Sequence, residues 1–142
     1  REYIMAKLRH ITITVPDPEK AAEFYMKAFD MQRVGDTDWA NANGVYLSDG
    51  TVNLALLHYK NPDSAGDRGI DFVGIHHLGF WVDDVAQSRK AIEAAGGTYW
   101  MGDVKKDGGF YEVKYFDPHG VVVDITEDGW RGACKDVTPA SN

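Results

Sequence analysis

The chain has 142 residues, 44% of them hydrophobic, and a formal net charge of −7, enough for a single domain with a proper core. The acidic balance, with no cluster of Lys or Arg, argues against nucleic acid as a partner. No apolar stretch is long enough to cross a bilayer, no signal-peptide pattern opens the sequence, and one cysteine, Cys134, excludes a disulfide framework, so a cytoplasmic location is expected. The first residue is Arg1, and Met5 is a candidate natural start with residues 1–4 foreign to the protein.

The first predicted strand runs over about 8–15, where Ile11, Ile13 and Val15 alternate with His10, Thr12 and Thr14. Asp17-Pro18 then starts a helix, Asp as N-cap and Pro at the first helical position. Ala22, Tyr25 and Phe29 recur on its apolar face. Three strands follow, at about 31–36, 44–47 and 52–59, the last two joined by a Ser48-Asp49-Gly50 turn. Residues 61–73 are polar, with Pro and Gly, and read as a surface linker. A fifth strand spans about 74–82, with Leu78, Phe80 and Val82 on one face. Asp84 caps a second helix, with Gln87 spaced for a capping box, and Gly96-Gly97 ends it. Strands at about 98–101, 110–116 and 121–126 complete the pattern, the last two joined by an Asp117-Pro118-His119-Gly120 turn.

The order β-α-β-β-β is therefore written twice, over about 6–60 and 74–127. His10, Val15 and Asp17 recur as His77, Val82 and Asp84 at the same offsets. Each half is short of core, so the two are expected to share one. In three strands a polar residue stands opposite an apolar set: His10, His77 and Asp124. If the helices cover the apolar faces, the other face must carry these three together. A lone strand histidine is ordinarily a hydrogen-bonded structural residue. Two at equivalent positions of a repeat, joined by a carboxylate that is costly to bury alone, make metal-site chemistry the better reading. Three protein ligands leave coordination positions open for water or substrate. His76 is expected on the helix side. His58 and His119 lie near strand ends, either lining the cavity or exposed. Tyr46, Tyr59, Trp81, Trp100, Tyr111 and Tyr115 all fall on strands, and some should line a pocket for a small, partly apolar ligand. Trp130, in EDGWRGACKD, is expected to pack the C-terminal segment back on the domain. Arg68 is read as a solvated surface residue or as a contact for an anionic substrate.

The stretches RHITITVPD, EFYMKAF, HHLGFWVDD and FDPHGVVVDIT resemble the vicinal oxygen chelate superfamily, which includes glyoxalase I, the bleomycin and fosfomycin resistance proteins, the extradiol dioxygenases and methylmalonyl-CoA epimerase. The resemblance implies an α+β fold: two βαβββ modules forming a curved, mostly antiparallel sheet around a cavity, helices on the outer face, often as a homodimer. It implies one divalent metal ion (Fe, Mn, Ni or Zn), with His10, His77 and Asp124 at the ligand positions. Asp124 stands where Glu is commoner. The fourth ligand position falls near Leu54 or Ala55, with Asn53 beside them, so a carboxylate is missing relative to glyoxalase I. A triad of two His and one carboxylate matches non-heme iron oxygenases instead. His58, Tyr59 and Tyr115 are the candidates for acid–base roles. The expected function is a metal-dependent lyase, isomerase or dioxygenase acting on a small substrate with vicinal oxygens. The alternatives are a drug-binding protein without turnover and a metal that only stabilises the fold.

Overall fold

The computed structural model describes residues 5–137; residues 1–4, on which the reading of Met5 as the start bears, and residues 138–142 lie outside the described residues. The first half comprises β1 (Ala6–Thr14), α1 (Pro18–Phe29), β2 (Gln32–Asp38), β3 (Ala42–Ser48) and β4 (Asn53–Tyr59). The second comprises β5 (Gly74–Val82), α3 (Val85–Ala94), β6 (Thr98–Met101), β7 (Val113–Phe116) and β8 (Val122–Thr126). Both long helices begin at an aspartate. The Asp17 carboxylate accepts the Lys20 N–H at 3.1 Å, and Asp84 accepts that of Gln87 at 3.0 Å, each meeting a donor that the first turn leaves unpaired. Residues 61–73 are not a featureless crossing: α2 (Pro62–Ala65) and a 3₁₀ turn, Gly66–Arg68, occupy them. Asn61 caps α2 by accepting the Ser64 N–H at 2.9 Å.

The eight strands form one sheet in the order β2-β3-β4-β1-β5-β8-β7-β6. β1–β4 and β5–β8 are parallel; the remaining pairings are antiparallel. The halves meet at the β1–β5 seam. The expectation of a shared core is corrected by the side chains. α1 covers Val45, Leu47, Leu54 and Leu56 through Ala22. Val85 and Ile92 of α3 cover Val82, Val113, Tyr115 and Ile125 separately. Period-2 alternation sends these residues to the helices and leaves the intervening polar ones on the opposite face. Phe29, expected on the buried stripe of α1, is 66% exposed. Among the described residues no helix is long and apolar enough to cross a membrane.

Candidate metal centre

Three strands at the middle of the sheet place the polar cluster. Along the seam Thr12 pairs with His77 and His10 with Gly79; across the next ladder Gly79 pairs with Asp124. Gly79 thus lies between His10 and Asp124, and any side chain there would collide, since a Cβ would sit 2.8 Å from both His10 and Trp130. His10, His77 and Asp124 are buried, and each offers a donor atom within 4.8 Å of the others. One chain supplies all three.

Hydrogen bonds around the imidazoles fix which nitrogens face inward. His76 Nε2–H donates to the Ala65 carbonyl at 2.6 Å, so its Nδ1 accepts from His77 Nδ1–H at 2.9 Å. His77 Nε2 then carries a lone pair. The Asn53 amide donates to the Arg131 carbonyl at 2.8 Å, which turns its Oδ1 to accept His10 Nδ1–H at 2.7 Å. His10 Nε2 also carries a lone pair, within 2.9 Å of the Thr12 hydroxyl. Partners on the outer nitrogen are how proteins orient metal-binding histidines. Burial holds both rings neutral, lowering His10 to about 3 and His77 to about 4.

The inward donors fit a cation. His10 Nε2 and His77 Nε2 are 3.2 Å apart, as are His77 Nε2 and Asp124 Oδ2. Bonds of about 2.1 Å would span that separation at roughly 100°, between octahedral and tetrahedral angles. Lone pairs facing one another at this distance repel unless positive charge lies between them. Asp124 Oδ1 is buried without a hydrogen-bond partner. The donor set and the orphaned oxygen together suit a divalent ion.

Lys114 and Glu112 bring further charge to the cavity, whose lining also includes Asp128 and Arg131. Lys114 Nζ lies 2.7 Å from Asp124 Oδ2. Burial would raise the Asp124 carboxyl, but attraction to His77, in the acid range where that ring is charged, and to the Lys114 ammonium outweighs it and holds it well below the usual carboxylate range. Burial opposes the charge on Lys114, and Asp124 and Glu112 more than restore it. Glu112 accepts Trp130 Nε1–H at 2.8 Å. Burial, then the negative charge of Asp124, pushes Glu112 up to about 7.

His10, His77, Glu112, Lys114 and Trp130 line a cavity of about 540 Å³, with Tyr46, Tyr59, Leu57 and Trp39 among its walls. Tyr59 is the one acid–base candidate from the sequence that reaches it; burial pushes its hydroxyl up to about 12. His58 falls on the other face of β4, in register with Leu54 and Leu56. Tyr115 also points to the helix side. It is fully buried in the α3 cluster, its hydroxyl accepting from Arg89 at 3.1 Å and donating to Glu93 at 3.2 Å. His76 was expected to turn away from His77. The β5 ladder instead slips between His77 and Ile75, and the bulge brings its ring 5.1 Å from that of His77. His119 lies exposed in its turn, and Arg68 stacks over Phe72 at 4.7 Å, beside a smaller cavity of about 260 Å³. Register also places Ala55 at the position of the first half that corresponds to Asp124. Thr12 pairs with Ala55 as Gly79 pairs with Asp124, so a methyl group stands where a fourth donor would be. Glu112, Lys114 and Trp130 are absent from the sequence-derived site. Strand alternation carried the signal for two of them, since Glu112 and Lys114 must face opposite to Val113 and Tyr115.

A profile of the glyoxalase/bleomycin resistance protein/dioxygenase superfamily matches residues 7–125. A 2-epi-5-epi-valiolone epimerase from an Actinomyces species is 30% identical over 115 residues, covering 68% of this chain and 62% of the relative. The chain thus spans under two thirds of the length of that curated relative. Among solved structures, a hypothetical protein from Bacillus halodurans superposes with a TM-score of 0.69 at 19% identity, over 96% of this chain and 99% of the other. A variant methylmalonyl-CoA epimerase from Streptomyces coelicolor, in complex with 2-nitronate-propionyl-CoA, superposes with a TM-score of 0.67 at 21% identity, over 84% and 94%. Both likenesses are of fold.

Proposed function

The chain belongs to the glyoxalase/bleomycin resistance protein/dioxygenase superfamily, and on that footing we propose that it is a metal-dependent epimerase or isomerase of small substrates with vicinal oxygens. His10, His77 and Asp124 would hold the ion. Once bound, a divalent cation supplies Lewis-acid stabilisation for the negative charge that develops on the substrate oxygens. Proton movement falls to the chain. The Glu112 carboxyl titrates near neutrality, where a group can serve as base in one direction and acid in the other. It takes the proton from the carbon beside the oxygens. Tyr59, on the opposite arm of the sheet, keeps its proton at neutral pH and faces the same space. It returns a proton to the other face of the substrate, and solvent carries the first proton from Glu112 back to Tyr59. Lys114 steadies Asp124 and offsets the charge of the two neighbouring carboxylates. Tyr46, Leu57 and Trp39 exclude water and receive the apolar part of the substrate.

The observation that carries this reading is the Glu112 carboxyl in the same cavity as two imidazole nitrogens 3.2 Å apart, next to Asp124 with its unpartnered carboxylate oxygen. A cavity built only to hold a drug has no need of so much buried charge, which is costly to desolvate. The epimerase activities named for the relatives favour proton transfer over cleavage or dioxygen chemistry. The test is wash-in of deuterium from D₂O, followed by NMR, with α-hydroxyketones, keto-cyclitols and 2-substituted malonyl thioesters. Exchange at the carbon α to the carbonyl is expected, abolished by a chelator and reduced at least 100-fold in Glu112→Gln. Tight ligand binding without exchange, indifferent to chelator, would establish the binding-protein alternative.

A further inference from the structure

Beyond β8 the described residues stay against the domain. Residues 127–135 return as a strap from the second half to the first. Ser48 Oγ donates to the Gly132 carbonyl at 2.7 Å, and the Cys134 N–H donates to the Thr51 carbonyl at 2.9 Å. Arg9 grips the Cys134 carbonyl at 2.7 Å and that of Lys135 at 3.0 Å, and Lys135 pairs with Asp83. This segment lies past residue 125, where the match to the superfamily ends.

The strap touches the metal centre twice. The indole of Trp130 stacks on the His10 imidazole, centroids 4.7 Å apart and planes 6° from parallel, while its N–H is spent on Glu112. The Arg131 carbonyl orients the Asn53 amide, and that amide dictates which His10 nitrogen carries hydrogen. One face of the His10 ring and the direction of its lone pair therefore both depend on a segment outside the duplicated scaffold.

We propose that the strap completes the metal centre, with Trp130 and the Arg131 carbonyl as positioning groups for His10 and Glu112, so that strap docking and metal binding strengthen each other. The metal half of this statement rests on the function proposed above. The coupling is reciprocal by thermodynamic necessity: whatever the docked strap adds to metal affinity, the metal adds to docking. Trp130 is not a catalytic residue; it acts through His10 and Glu112.

The test uses the full chain, stripped of metal and titrated with Zn²⁺ by calorimetry. Trp130→Ala should weaken binding about 10- to 100-fold, the usual range for lost outer-shell partners. Trp130→Phe, which keeps a ring over His10, should stay within about threefold of the parent. Asn53→Leu, similar in size, severs the link from Arg131 to His10 and should resemble Trp130→Ala; it keeps the question decidable if the alanine variant misfolds. In the parent, Zn²⁺ should slow hydrogen exchange at the Cys134 amide. Two results separate the failures. If the parent binds Zn²⁺ and both disruptive variants bind it equally well, with Cys134 exchange unmoved by metal, the strap proposal falls and the metal centre stands. If the parent takes up no metal, the function proposed above falls, and ¹⁵N NMR of His10 judges the strap alone. A single Nδ1–H tautomer in the parent that becomes mixed in Trp130→Ala supports it; identical spectra overturn it.

Discussion

Replacing Lys114 by Met removes the cation that faces Asp124 and Glu112 while keeping most of the side-chain volume. The Lys114 side chain is 17% exposed and that of Asp124 is fully buried, so the change strands an acidic pair in a poorly hydrated wall. Breaking a buried ion pair from one side costs about 3–5 kcal/mol. With an unfolding entropy of roughly 2.1 cal/mol/K per residue, a chain of 142 residues loses about 3.4 °C of melting temperature per kcal/mol. The metal-stripped variant should therefore melt roughly 10–17 °C below the parent. The loss should be greatest near pH 8, because at pH 6 Glu112 relieves the repulsion by taking up a proton. A divalent ion supplies the charge that the ammonium gave. At a hundredfold excess over its dissociation constant it stabilises the variant by about 2.7 kcal/mol. The parent should gain less at the same concentration, since there the ion competes with Lys114 for Asp124. Differential scanning calorimetry with and without Zn²⁺ reads all four melting temperatures. An equal or larger Zn²⁺ shift in the parent, or an unperturbed metal-free variant, would refute the idea that ammonium and metal serve the same carboxylate.

In metal-stripped protein, two opposing linkages set the pH profile of stability. His10 and His77 are held down to about 3 and 4, so the unfolded chain takes up their protons first and stability falls as pH drops from about 6.5 toward 4. Glu112 is pushed up to about 7 from 4.5, so its contribution is full below 4.5 and is lost as pH rises to 7; Glu112→Gln should steepen the rise of the urea midpoint between pH 4.5 and 6.5, and a profile superposing on the parent would contradict this. Ala55→Asp supplies the missing fourth donor: Zn²⁺ should bind at least 10-fold tighter by calorimetry, while the metal-free protein melts lower because another carboxylate is buried. Tyr115→Phe should leave deuterium exchange within about twofold of the parent and lower stability by about 1 kcal/mol in urea unfolding, since its hydroxyl bonds Arg89 and Glu93 rather than substrate.

The α+β architecture and superfamily were legible because period-2 strands, capped helices and a repeated order each constrain the backbone locally. The ladder then brings His10, His77 and Asp124 together in space. What the sequence withheld depends on departures from those periods. A bulge reverses His76. Tyr115 and His58 have the chemical type for acid–base work, but alternation with Val113 and with Leu54 and Leu56 sends them toward the helices. The same alternation places Glu112 and Lys114 in the cavity. Trp130 was expected to pack inward, but no periodicity in a strap rich in glycine could say that it would land on His10.

The pseudo-symmetry of the two halves explains why Glu112, Lys114 and Asp124 all stand on one arm. Ladder register makes Tyr46 the counterpart of Lys114 and Ala55 the counterpart of Asp124. Two residues earlier, Gly44 answers Glu112, and a Cβ at Gly44 would sit 2.3 Å from Leu57 and 2.5 Å from the Leu56 carbonyl. The first arm therefore has neither the donors nor the room for a charged set, and instead offers Ala42, Tyr46, Leu57 and Tyr59 to the cavity. The two seam histidines are the part of the centre that the repeat preserved. Under the proposed reaction a substrate would meet Glu112 and Lys114 on one side and, on the other, Leu57 and the Tyr46 ring with the Arg131 guanidinium over it. The carbon that loses its proton would then lie toward Glu112, and the remainder of the molecule would have to fit against Tyr46 and Leu57.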